Sequence, residues 1–327
     1  MTDQFKKEID SALELINSYN NIYICSHIQP DGDSLGSIMA LAMAIKKLKN
    51  KANINVIKVD DIPSVFDFLP NIDIIKEQDL SQEVELFIAL DSSDKERLGI
   101  GAEFLCKAKA VINIDHHITN ENFGDVNIVL PSSGSTCEIV YKLIKYMGIE
   151  MDKDIATCLY TGINTDTGRF MYSNTTYETH IIAAELIKTG IDTSDINISI
   201  YQNRTIERTR LLLESLNQLE LYEDGKIGLV VVTQDMLEKT GAGMEDTEGI
   251  ISFVMDINTI EAACLLKEVS NKEIKVSLRS KKYVNVSKIA TKFGGGGHVR
   301  AAGFTIIGEQ IDTAKEMILK EIFKNIR

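Results

Sequence analysis

Five short stretches of this chain gather residue types that ligate metals or hold anions. The first, His27-Ile28-Gln29-Pro30-Asp31-Gly32-Asp33, offers an imidazole and two carboxylates. Pro30 would stop a preceding strand, and Gly32 would let the backbone fold tightly between the carboxylates. A solvated Pro-Asp-Gly turn explains the same residues without chemistry. The run LFIAL then ends in Asp91, which on its own also fits a helix N-cap. VINI ends in Asp115-His116-His117, two adjacent imidazoles in a protein with five histidines. A carboxylate beside them can fix their tautomers. Thr165-Asp166-Thr167-Gly168-Arg169-Phe170 places a carboxylate and an arginine in a loop after an apolar helix, or simply forms a helix C-terminal turn.

Read together, these stretches point to metal. Three strand ends in sequence order each deliver Asp or His, and in open α/β sheets sites form at the carboxyl ends of strands. Asp and His without Cys suit a hard-to-borderline divalent ion such as Mn²⁺ or Mg²⁺. There are too many ligands for one ion with open positions, so two ions are expected. Such a pair, roughly 3.5–4 Å apart, lowers the pKa of a water and neutralises charge in an in-line phosphoryl displacement.

The fifth stretch is Phe293-Gly294-Gly295-Gly296-Gly297-His298-Val299-Arg300-Ala301-Ala302-Gly303. Successive glycines allow close backbone approach and expose N–H donors, and His298 and Arg300 stand beside them. Arg279, ending the strand Lys275–Leu278, can add a planar fork suited to phosphate. A flexible linker is the alternative, but a linker is not followed at once by His-x-Arg and a strand.

The elements that must position these residues follow from periodicity. Phe5, Ile9, Leu13 and Ile16 recur at helical spacing. Apolar runs at Ile22–Cys25, Ile54–Val59, Leu86–Leu90 and Val111–Ile114 alternate with helical stretches such as Leu35–Leu48, the pattern of a parallel sheet. Helices are predicted at Ser135–Met147, Lys153–Ile163 and Thr176–Lys188, and one long helix over Asn203–Leu221 before a turn at Glu223-Asp224-Gly225. Beyond it, strands Ile227–Val232, Ile260–Glu268, Glu273–Leu278 and Gly303–Ile307, with helices at Val286–Phe293 and the terminus, read as a small α+β domain. The expected architecture is therefore α/β, an N-terminal parallel-sheet domain with helices on both faces over 1–202. A connecting helix follows over 203–222, then the smaller α+β domain over 223–327.

Composition narrows the function classes. A chain of 327 residues, 44% hydrophobic and 25% charged, is an ordinary globular protein of about two domains. Its longest apolar run, Ile38–Ile45, falls far short of the roughly 20 residues of a membrane span, and MTDQFKKEID lacks a signal-peptide core. Five scattered cysteines read as reduced, buried thiols. No membrane association and a cytoplasmic location are expected. A net charge of -13 disfavours long nucleic acid but leaves short or small phosphorylated substrates open.

The ordered set H-x-x-x-D-x-D, L-D, D-H-H, T-D-T-G and G-G-G-G-H resembles the DHH phosphoesterase family with a C-terminal DHHA1 domain, over nearly the whole chain. In length it resembles the stand-alone branch that acts on very short RNA and on 3′-phosphoadenosine 5′-phosphate (pAp). Relatives that cleave cyclic di-AMP carry membrane and sensory segments, RecJ-like exonucleases carry nucleic-acid-binding domains, and the similar pyrophosphatases lack the glycine-histidine motif. The resemblance implies that His27 and Asp31 hold one Mn²⁺, that Asp33, His116 and Asp166 hold the other, and that Asp91 bridges both. His117 would face the substrate, and Asp115 would orient an imidazole. Arg279, Gly295, Gly296 and His298 would hold the substrate, with Arg300 beside them.

The expected enzyme clamps a short nucleotide between its domains and hydrolyses RNA oligomers of two to five nucleotides, pApA and pAp. A homodimer is one partner state this allows. A cyclic-dinucleotide phosphodiesterase and a non-catalytic nucleotide sensor are the alternatives. Arg97 and Arg169 could touch substrate phosphate or form surface salt bridges. Ser133, Ser135 and Thr136 read as turn and capping residues, and His180 as structural.

Overall fold

The computed structural model describes residues 3–326. The chain divides into two compact units between Asn203 and Arg204.

The first unit runs α1 (Asp3–Ser18), β1 (Asn21–Cys25), α2 (Gly32–Leu48), β2 (Asn53–Ile57), β3 (Ile75–Lys76), β4 (Leu86–Leu90), α3 (Gly101–Leu105), β5 (Ala110–Asp115), β6 (Val126–Val129), α4 (Thr136–Tyr146), α5 (Lys153–Asp166), α6 (Tyr177–Ile187) and α7 (Thr193–Tyr201). Its six strands are all parallel, in the order β3-β2-β1-β4-β5-β6. Chain direction across the sheet reverses between β1 and β4, so a crevice opens beyond their carboxyl ends. The central strands are buried on both faces, which is why LFIAL and AVINI read as unbroken apolar runs. One face packs Ile22, Ile24, Ile88 and Ile112 against α1, α2, α4 and α5. The other packs Tyr23, Phe87 and Val111 against Leu98, Phe104 and Leu105 around α3.

Helices α2 and α5 approach closely because Gly32 and Gly36, one turn apart on α2, carry no side chain. A Cβ on Gly32 would fall 2.8 Å from Thr165 Cγ2, and one on Gly36 would strike the Cys158 carbonyl. Gly32 is thus needed for helix contact, not for the tight turn its neighbours suggested. Helix α5, capped by Asp152, also runs on through Asp166, so that carboxylate sits on a helix's last turn and not in a loop.

The second unit runs α8 (Ile206–Asn217), β7 (Glu220–Tyr222), β8 (Ile227–Val232), α9 (Gln234–Thr240), α10 (Ile250–Met255), β9 (Ala262–Ser270), β10 (Glu273–Ser280), α11 (Val286–Lys292), β11 (Gly296–His298), β12 (Ala301–Ile307) and α12 (Ile311–Phe323). Its mixed sheet has the order β11-β12-β10-β9-β8-β7, with only β8 and β9 parallel. The helix expected over 203–221 ends at Asn217, and Glu220–Tyr222 instead pair with β8 as an edge strand. Leu211 of α8 packs with Val230, Met236, Ile250 and Leu265, so this helix belongs to the second core. Part of the glycine run is strand as well, since Gly296–His298 pair with β12.

One loop of this unit is held from both sides. Glu261, only 5% exposed, accepts backbone N–H bonds from Lys282 at 3.0 Å, Tyr283 at 2.7 Å and Val284 at 2.9 Å. Arg300 donates to the Val284 carbonyl at 2.7 Å and to that of Lys282. Removing a carboxylate that accepts several N–H bonds leaves donors unsatisfied. Glu261→Ala is therefore expected to lower the second unit's unfolding free energy by about 2–3 kcal/mol in urea titrations followed by circular dichroism. A loss under about 0.5 kcal/mol would show that the loop does not need this anchor.

Candidate metal centre

The carboxyl ends of β1, β4 and β5 and the facing ends of α2, α4 and α5 bring together His27, Asp31, Asp33, Asp91, His116 and Asp166. Three overlapping groups could each hold a metal: His27, Asp31 and Asp91; Asp33, His116 and Asp166; and Asp91, His116 and His117. Asp91 presents one oxygen to each of the first two, with Oδ2 3.4 Å from His27 Nε2 and Oδ1 3.7 Å from His116 Nε2. Asp31 Oδ2 lies 3.7 Å from His27 Nε2, while Asp33 Oδ2 and Asp166 Oδ2 lie 3.9 and 3.6 Å from His116 Nε2.

Both imidazoles are oriented by backbone. His27 Nδ1 is 2.7 Å from the Ile28 carbonyl and His116 Nδ1 is 3.3 Å from the Ser133 carbonyl. A carbonyl only accepts, so each Nδ1 carries a proton and each Nε2 is the ring atom turned toward the carboxylates. The Ser133 loop is braced in turn by buried Glu138, which accepts from Ser133 Oγ at 3.0 Å and Thr179 Oγ1 at 2.5 Å.

Asp31 is both a potential ligand and the N-cap of α2, accepting from the N–H groups of Asp33 and Ser34. Asp33 sits in that helix's first turn and reaches the start of α4, where the N–H groups of Thr136 and Cys137 donate to it at 2.6 and 2.9 Å. Thr136 Oγ1 donates to Asp91 Oδ1 at 3.0 Å. Thr136, read from sequence as capping chemistry, thus steadies two of the carboxylates, while Ser135 is the cap itself. Asp91 is not an N-cap. It has φ 54, in the left-handed region that Asp tolerates better than most residues, and its N–H donates to the Ile114 carbonyl.

His117 is placed differently. Its Nδ1 lies 2.7 Å from Oδ1 of fully buried Asp115, which also accepts from the His116 N–H. Asn120 donates to Asp115 Oδ2 at 2.6 Å and to the Ser92 carbonyl. Asp115 therefore orients His117. Asn120 was missed because a lone Asn in a loop carries no spacing signal. Arg97 lies close enough to His117 to oppose its protonation. Arg169 instead stacks on Tyr201, 4.5 Å from the ring centroid, and His180 stacks on Phe170.

The electrostatics are those of a cation site. Burial, then Asp91 and Asp166, push Asp33 well above the ordinary carboxylate range. Burial chiefly raises Asp166 to about 6, with Asp91 and Asp31 adding to it. Asp91 is also raised by burial, but the imidazoles, His27 first, outweigh this and hold it below its usual value. His27 is lowered by burial and raised by more through Asp91. The hydrogen bond to Asp115 raises His117 to about 9. Clustered carboxylates opposed only by imidazoles form a donor set that fits divalent cations.

In the second unit, His298 and Gly296 are exposed on β11, and Arg279 is half-buried on β10. Gly295 lies against Gly303 and Phe304 of β12. The Arg300 guanidinium, expected beside the substrate, is engaged with the carbonyls of Lys282 and Val284.

A parallel sheet ending in this Asp–His cluster is the arrangement of a metal-dependent hydrolase. Residues 21–163 match the DHH family, N-terminal domain, and residues 227–324 match the DHHA1 domain. The chain is 36% identical over 308 residues to the bifunctional oligoribonuclease and PAP phosphatase NrnA of Thermus thermophilus, covering 92% of this chain and 89% of that one. It is 30% identical to the protein of the same name from Bacillus subtilis, covering 90% and 92%. An exopolyphosphatase-related protein of Bacteroides fragilis shares the structure with a TM-score of 0.88 at 29% identity, covering 98% and 96% of the two chains. The chain belongs to the DHH phosphoesterase family and is a hydrolase of phosphate esters. Among the described residues, no helix is long and apolar enough to cross a membrane.

A metal held by these groups would have to displace protons from Asp33, Asp166 and His27, all raised in the metal-free protein. The raised carboxylates make the metal-free fold most stable below their unfolded pKa and cost it stability as pH rises through about 6, where Asp166 titrates. The gain in Tm on adding Mn²⁺ is therefore expected to grow from about pH 5.5 to about pH 7.5. A gain independent of pH would contradict this ligand set. Thr136→Val should weaken Mn²⁺ binding about tenfold or more in calorimetric titration, because Asp91 loses its hydroxyl donor.

Proposed function

We propose that this protein is a cytoplasmic Mn²⁺-dependent phosphoesterase that hydrolyses RNA oligomers of two to five nucleotides and pApA to mononucleotides, and pAp to AMP. The observation that carries this reading is Asp91, whose two oxygens face two separate Asp–His groups. In this reading Asp91 is shared, His27 and Asp31 complete one site, and Asp33, His116 and Asp166 complete the other. Two Mn²⁺ ions, with Mg²⁺ as the alternative, would acidify a water and neutralise charge at the phosphorus under attack.

The chain's own residues supply the rest. Asp115 accepts from His117 Nδ1–H, which leaves Nε2–H as a donor for a phosphoryl oxygen as negative charge develops. Protonation up to about pH 9 keeps that donor in place through the neutral range. Backbone carbonyls keep the His27 and His116 rings from turning, and the start of α4 holds Asp33. On the second unit, Arg279, His298 and the exposed backbone of Gly296 hold a phosphate or base remote from the reacting phosphorus. The relatives named as oligoribonuclease and PAP phosphatase support this substrate class.

The test is product analysis with Mn²⁺ on a 5′-phosphorylated RNA series from dimer to pentamer, on pAp and on cyclic di-AMP. Turnover of the short RNAs and pAp is expected, with at least about a thousandfold loss in Asp91→Ala. Turnover of cyclic di-AMP alone would reassign the substrate. No Asp91-dependent product would leave a nucleotide-binding sensor.

A further inference from the structure

Cross-strand register on the second sheet sorts its cations into rows. Arg279 of β10 lies opposite Ala301 of β12, which lies opposite His298 of β11. Four residues earlier on β10, Lys275 lies opposite Lys267 of β9 on one side and Thr305 of β12 on the other. Alternate residues of a strand share a face, and directly opposed residues share it too. Arg279, Ser277, Lys275, Lys267 and His298 are therefore on one face. Burial agrees, since the intervening Ile274, Val276 and Leu278 lie in the core. Between the two rows Ser277 faces Gly303 on the β12 side, where the floor is made of small residues, and buried Leu265 on the β9 side, where the helices cover the sheet.

Two lysines directly opposed across strands repel each other. Among the described residues neither makes an ion pair or side-chain hydrogen bond, in a chain where 48 acidic residues outnumber 35 basic ones. Burial, and next the charge of Lys275, hold the Lys267 ammonium below its ordinary value; Arg279 adds to them and Glu248 opposes. This unneutralised pair continues the face that presents Arg279, His298 and the glycine strand.

We propose that Lys267 and Lys275 form a second phosphate subsite, which engages a backbone phosphate of a short oligonucleotide beyond the nucleotide held at the Arg279–His298 row. This rests on the hydrolytic reading above and deepens it. Four strand residues separate the rows by about 13 Å. That is beyond the phosphate-to-phosphate reach within one nucleotide, so the pair discriminates by length and favours oligomers over pAp.

The test compares kcat/KM for pAp and for the dimer-to-pentamer series in wild type, Lys275→Gln, Lys275→Arg and the double variant Lys267→Gln/Lys275→Gln. Lys275 is exposed, so these proteins are expected to fold, as circular dichroism will check. In the double variant the pentamer-to-pAp ratio of kcat/KM is expected to fall about tenfold, carried by KM, with Lys275→Arg restoring it. The salt slope for the pentamer should become shallower by about 0.7 per phosphate contact removed. An equal change at every length, or none, would overturn the subsite. Anisotropy of a labelled pentanucleotide separates the two readings. Salt-dependent binding lost in the double variant, without turnover by wild type, would overturn hydrolysis and retain the subsite. Wild-type turnover with length-independent loss would overturn the subsite alone.

Discussion

The first unit is organised around one constraint: Asp33 and Asp91 are buried together with no lysine or arginine in ion-pair contact among the described residues. Carboxylates in that position repel one another and lose hydration, so something fixed must hold them. The start of α4 does so. Its first N–H groups have no intrahelical partner, and two of them point at Asp33 while the Thr136 hydroxyl reaches Asp91. The close crossing of α2 and α5 at Gly32 and Gly36 then brings Asp166 to the same place. Helix packing and electrostatics are thus one problem here: moving α4 or α5 would release a carboxylate from its support.

Support continues outward by hydrogen bonds that each fix one degree of freedom. Glu138 braces the Ser133 loop, and the Ser133 carbonyl fixes the His116 tautomer. Asn120 ties Asp115 to the Ser92 carbonyl, and Asp115 fixes His117. The two adjacent histidines therefore have opposite settings. His116 has Nδ1 on a neutral carbonyl and turns Nε2 inward, whereas His117 has Nδ1 on a carboxylate that favours the protonated ring. A metal ligand must be unprotonated and a donor to phosphate must be protonated, so in the proposed reading these two settings would suit the neighbouring histidines to two roles.

Much of this was legible in the sequence because His27, Asp91 and His116 follow β1, β4 and β5, whose burial makes them unbroken apolar runs. Asp91 after LFIAL and Asp115-His116-His117 after VINI could be placed at one sheet edge from pattern alone. The supports were not legible. Thr136 looks like ordinary capping chemistry, and nothing local indicates that its hydroxyl meets a carboxylate 45 residues away. Gly32 looked like turn chemistry because its partner, Thr165, lies on a distant helix. The helix predicted over 203–221 ran too long because Leu219 and Leu221 continue its apolar rhythm, while pairing of Glu220–Tyr222 with β8 is a tertiary event.

The charge distribution differs between the two units in a way that bears on the proposed reading. A phosphorylated substrate is an anion, and the metal centre is built from anions. Beyond the imidazoles and the nearby Arg97, the described residues bring no Lys or Arg into ion-pair contact with this cluster, so further positive charge there would come from a bound metal. The second sheet carries Arg279, Lys275 and Lys267 on one face, none neutralised by a carboxylate in ion-pair contact among the described residues. Arg300 is not among them, because its guanidinium already satisfies the loop that Glu261 holds from the other side. Lys267 and Lys275, directly opposed across their strands, repel each other, and a bound phosphate would offset that cost.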